Sequence, residues 1–116
     1  MLKLALLLFA LAAAGGLFLA SKVLRDQLAP WAVSLLHAAL GASGIVILLW
    51  AVLTQTTGAW LVWSLGLFVV AALGGFLLAS FHARGKLPPK VIVLVHGGVA
   101  VAAFALLVIV VCAPAV

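Results

Sequence analysis

The chain has 116 residues, of which 70% are hydrophobic and 6% charged, and it carries a net charge of +5 with one acidic side chain, Asp26. No soluble domain of that length hides so much apolar surface, whereas a bilayer does, because one spanning helix takes about 20 apolar residues. The apolar runs lack the alternation of a barrel strand, so spanning helices are expected, and Cys112, the one cysteine, allows neither an internal disulfide nor a Cys-pair metal motif.

The first helix is expected from about Leu4 to Ser21. Lys3 and the Leu/Ala run behind it resemble a secretion signal. The run is longer than the 7–15 residues usual for a signal core, and its residues return later in the chain, so a retained helix is expected. Lys22 to Ala29 is a polar turn. Pro30 then opens a second helix, from about Trp31 to Leu53, at a position where its missing N–H costs nothing. Thr54 to Gly58 is an uncharged turn. A third helix is expected from about Ala59 to Phe81, and His82 to Pro88 forms a second basic turn. The fourth helix runs from about Pro89 to Cys112, with Pro114 ending it.

The chain repeats itself. Shifted by 59 positions, Pro30 falls on Pro89, His37 on His96, Arg25 on Arg84, and Gly15-Gly16 on Gly74-Gly75; from Leu6 to His37, 15 of 32 positions are identical. An internal duplication decides the architecture before any single element does. The expected fold is all-α: an integral membrane four-helix bundle in one domain, made of two tandem helical hairpins, residues 1–57 and 58–116. Because each unit contains two helices, both copies have the same orientation, related by a pseudo-two-fold axis along the membrane normal.

Charge gives the orientation. Lys22 and Arg25 lie in the first turn, Arg84 and Lys86 in the third, with Lys90 just beyond; only Lys3 dissents. The positive-inside rule places both basic turns in the cytoplasm and both termini outside, as in a bacterial inner membrane. The positive charge therefore reports topology and not nucleic-acid binding. Trp50, Trp60 and Trp63 near one interface and Trp31 near the other fit an aromatic belt.

His37 and His96 each lie seven residues beyond their helix-opening proline, about 10 Å into the helix at 1.5 Å per residue. Gly15-Gly16 and Gly74-Gly75 fall in the same layer on the other two helices. Ser34, His37, Gly41 and Gly44 share one face of the second helix, and His96, Ala100 and Ala103 one face of the fourth. The small residues Ala12, Gly16, Ala20 and their counterparts Ala71, Gly75, Ala79 serve close helix packing or make room for a flat ligand. An ionisable residue inside a membrane helix points to function. Imidazole ligates metal through one nitrogen while the other N–H meets an acceptor. This layer has no carboxylate or thiolate, so a structural zinc site lacks ligands three and four. A haem needs only two axial nitrogens, and Arg25 and Arg84 stand where its propionates would emerge.

Four apolar helices with histidines facing across the bundle resemble the membrane b-type cytochromes, such as the cytochrome b561-like families. The resemblance is architectural and covers the whole bundle. It implies one haem b with His37 and His96 as axial ligands, Gly15, Gly16, Gly41, Gly74 and Gly75 around it, and electron exchange with a quinone or a redox partner protein. Such families often hold two haems on four histidines. Here the third histidine, His82, lies in the basic turn, so a second haem is not expected. The chain reads as an electron carrier or subunit more than as a stand-alone enzyme. The main rival is a non-catalytic accessory subunit of a larger membrane complex or homo-oligomer, with both histidines as packing groups. A small multidrug transporter would need a carboxylate in its first helix, and a proton path an acidic relay; the sequence has neither.

Overall fold

A computed structural model describes residues 1–113 of the chain. Within them four helices follow one another: α1 (Leu2–Leu24), α2 (Trp31–Thr54), α3 (Ala59–Ala83) and α4 (Lys90–Cys112). Pro114, expected to end the fourth helix, lies outside the described residues. At 1.5 Å per residue each helix is about 35 Å long, enough for a hydrocarbon core of about 30 Å, and all four are apolar enough to cross one.

The helices start and stop for local reasons. Pro30 and Pro89 hold extended backbone, with ψ near 136° and 133°, and cap α2 and α4 from outside. Helix α2 starts at Trp31 as expected, and α4 starts at Lys90, one residue after the expected Pro89. Helices α1 and α3 end in the same device. Gln27 N–H reaches back to Lys22 O and Lys86 N–H to Phe81 O, at 2.9 and 3.0 Å. The residue between swings into the left-handed region: Asp26 at φ 60° and Gly85 at φ 66°. That closure satisfies carbonyls the helix end would leave bare. Helix α3 consequently runs two residues further than expected, and His82 stands on its last turn and not in the connection.

The element is an elongated bundle, 48 × 20 × 19 Å. Helix α1 packs closely on α2 and α3 on α4, giving two tight hairpins; looser seams join α2 to α3 and α1 to α4, and the remaining pairs lie on the diagonals. The hairpins meet tightly at one end only. Ala5, Phe9, Leu48, Ala51, Leu61, Phe68, Ala103 and Leu107 form the buried core there, toward the Thr54–Gly58 connection. Phe9 and Phe68 stack across the α1–α3 diagonal with ring centroids 3.7 Å apart. Fully buried Ser64 donates its hydroxyl to Ala103 O at 2.8 Å, tying α3 to α4. In lipid, where apolar burial gives helices little reason to associate, such packing and hydrogen bonding hold a bundle together. Toward the basic turns the hairpins part and leave a cavity.

Candidate functional site

The cavity has a volume of about 1070 Å³ and lies between the hairpins, with Phe9, Phe68 and Phe104 toward the packed end. Its size is at the upper end of the roughly 300–1,000 Å³ typical of small-molecule sites. Its wall is almost wholly apolar. The polar side chains on it are Ser34, His37, His82 and His96; no Lys, Arg, Asp or Glu lines it.

His37 and His96 project toward each other across the α2–α4 diagonal. Each is seated by its own hairpin. His37 Nδ1 donates to Ala12 O on α1 at 2.7 Å, and His96 Nδ1 donates to Ala71 O on α3 at 2.7 Å. A carbonyl only accepts, so Nδ1 carries the proton in both neutral rings and Nε2 keeps its lone pair. The glycine pairs make these bonds feasible. A Cβ on Gly16 would stand 2.9 Å from His37 Cε1, and one on Gly75 3.3 Å from His96 Cε1; Gly15 and Gly74 lie against the same rings. The glycines thus admit the imidazoles of their own hairpins. The expectation that they make room for a flat ligand gains a nearer cause: the ring they accommodate is the histidine.

The imidazole centroids are 6.2 Å apart with ring planes 76° from parallel. A metal–imidazole bond is about 2.0–2.1 Å, and the nitrogen lies roughly 1.1 Å from its ring centre, so two rings on opposite sides of one ion have centroids about 6.2–6.4 Å apart. The centroid separation of the pair falls at the lower edge of that range, with each ring held by its Nδ1 bond. Among the described residues no group of three or more His, Cys, Asp or Glu side chains is placed to hold a metal ion, so a site built of protein ligands alone finds no third or fourth donor here.

The other expected residues divide. Gly41 lines the cavity with nothing within 4 Å of where a Cβ would stand. Arg25 and Arg84 point back along their own helices, Nε bonded to Ser21 O and Ser80 O at 3.0 and 3.1 Å. Neither lines the cavity. Gly44 belongs to the packed end, where an added Cβ would stand 2.6 Å from the Phe9 ring.

Sequence reading missed one group. Trp31 and His82 stack at 3.9 Å, nearly parallel, and His82 Nδ1 lies 3.2 Å from Ser34 Oγ. Trp31 and Ser34 are three residues apart, hence neighbours on one helix face. That spacing was visible, but its partner on α3 was assigned to a turn.

Comparison with protein-family models, with curated proteins and with solved structures returns no match to this chain.

Proposed function

We propose that the chain is a membrane electron-transfer protein that binds one haem b between His37 and His96. The observation that carries this reading is the imidazole pair: two rings anchored alike through Nδ1, each keeping an Nε2 lone pair, at the separation a shared axial metal requires. When bound, haem supplies one-electron chemistry at its iron. The chain's own residues do the rest. Ala12 O and Ala71 O fix tautomer and orientation, as acceptors behind metal-bound histidines do. The glycine pairs let the rings reach those carbonyls, and the apolar wall excludes water. One haem does not carry electrons across the full membrane. Its exchange partner is a quinone or a redox protein reached at the basic end.

The reading also takes the chain as a duplicated hairpin, residues 1–57 and 58–116, with a pseudo-two-fold axis along the membrane normal. Its support is the recurrence of contacts 59 residues on: His37 to Ala12 and His96 to Ala71, Arg25 to Ser21 and Arg84 to Ser80, Ser21 to Phe18 and Ser80 to Leu77. The basic turns face the cytoplasm of a bacterial inner membrane, by the positive-inside rule.

A reduced-minus-oxidised absorption spectrum of the purified protein tests the proposal. A Soret band with a low-spin signature is expected, lost in His37→Ala and in His96→Ala; His82→Ala removes no axial ligand and keeps the low-spin signature. A protein purified from haem-sufficient cells without a Soret band leaves the accessory-subunit reading in its place.

A further inference from the structure

The mouth of the cavity is not lined by the basic residues that surround it. Arg25 and Arg84 are bonded to their own helices, and Arg84 also lies over the Phe81 ring. Lys90 pairs with Asp26 at 3.3 Å on the α1–α4 seam. Besides the two central histidines, the polar side chains on the wall are Ser34 and His82, bonded to each other at 3.2 Å, on the α2–α3 seam. They occur once. Fifty-nine positions before His82 stands Val23, and 59 after Ser34 stands Val93.

We propose that Ser34 and His82 form a binding subsite for a carboxylate of the molecule that fills the cavity. Resting on the haem reading, that carboxylate is one propionate of haem b. A carboxylate at the edge of an apolar wall needs donors, because leaving it without partners is costly. With the Ser34 hydroxyl donated to His82 Nδ1, the neutral ring carries its proton on Nε2, and that N–H is free to reach an anion. Hydrogen bonds to a charged acceptor are roughly twice as strong as neutral ones. The flat stack on Trp31 holds the imidazole in place, so little ordering is left for the ligand to impose. From α2 the ring meets Trp31 and Ser34 and no charge. Its own helix end carries Arg84, and the Lys90–Asp26 pair stands across the mouth on the other seam. His82 and Ser34 are positioning residues here: His82 grips the periphery of the ligand, Ser34 holds its tautomer, and neither touches the iron.

The test compares two probes on detergent-solubilised protein prepared without haem: haemin, and haemin dimethyl ester, which lacks both carboxylates. Affinity is read from the growth of the low-spin Soret band. The wild-type chain is expected to favour haemin about tenfold, the worth of one charge-assisted hydrogen bond. His82→Ala should bring that preference to about twofold or less, and Ser34→Ala should weaken it in the same direction, while Arg25→Gln and Arg84→Gln retain it. Affinity for the dimethyl ester reports that each variant still folds around the histidine pair. Undiminished preference in both His82→Ala and Ser34→Ala, or a loss in the arginine variants instead, overturns the subsite and leaves the haem reading standing. Absence of a low-spin band with either probe in the wild-type chain overturns both.

Discussion

The ring of Phe68 lies flat on that of Phe9, 5° from parallel, and closes the bundle beneath the histidine layer. Phe9 is three residues from Ala12, whose carbonyl receives His37, so the stack and the histidine seat share one stretch of α1. Phe68→Ala should remove an aromatic pair worth about 0.5–1.5 kcal/mol beyond the packing lost with the ring, open the cavity floor and cost about 3–5 kcal/mol in all. Gly44→Val should also destabilise, by about 1–3 kcal/mol, because its side chain would enter the space that Phe9 fills. Reversible unfolding in mixed micelles, followed by circular dichroism, measures both; either variant as stable as the parent chain would contradict this packing.

Substitutions at the glycine pairs should be graded. A methyl on Gly16 falls 2.9 Å from the His37 ring, whereas one on Gly75 falls 3.3 Å from that of His96. Gly16→Ala is therefore expected to displace its imidazole and lower haem content more than Gly75→Ala does, with helix content unchanged in both. Haem-to-protein ratios from pyridine haemochrome assays decide the order.

Ser64→Ala deletes the hydroxyl bonded to Ala103 O inside the packed end. Interhelical hydrogen bonds of this kind average about 0.6 kcal/mol in membrane proteins, so a destabilisation near that size is expected, with the spectrum of the distant site unaffected. The same micelle unfolding assay measures it.

Topology can be read by labelling. With Cys112→Ser as background, a cysteine replacing Thr56 should react with an impermeant maleimide added to intact cells, and one replacing Gln27 only after the cells are opened. Both positions are exposed. Labelling of Gln27→Cys from outside would reverse the assigned orientation.

Much of the scaffold was readable in the sequence because it follows from local chemistry. Prolines and glycines punctuate the apolar runs, and seven residues from Pro30 to His37 and from Pro89 to His96 fix a common depth. What pairs across the bundle was less readable. In lipid the outer face of a helix is as apolar as its inner face, so hydrophobic periodicity does not mark which side turns inward; Phe9 and Phe18 look alike in the sequence, yet one is buried and the other exposed. Arg25 and Arg84 were assigned to the ligand from their charge and position. The serines one turn earlier, whose carbonyls hold them, carry no sign of that in sequence. His82 was placed in a turn because the left-handed closure at Gly85 lets α3 continue past Phe81.

The packed end and the parted end give the bundle the mechanics of a spring clip. From Phe9 to Leu24 the arm that α1 forms with its hairpin partner α2 is roughly 22 Å long at 1.5 Å per residue, so a tilt of about 5° at the stack would move its tip by roughly 2 Å. Two clasps of unlike chemistry oppose that motion. The Lys90–Asp26 pair is exposed on both sides, contributes at most about 1 kcal/mol and fades with salt. The Trp31–His82 stack is indifferent to salt. Rising salt therefore weakens the hold of the α1–α4 seam at the mouth and leaves that of the α2–α3 seam in place, while the packed end keeps the hairpins paired.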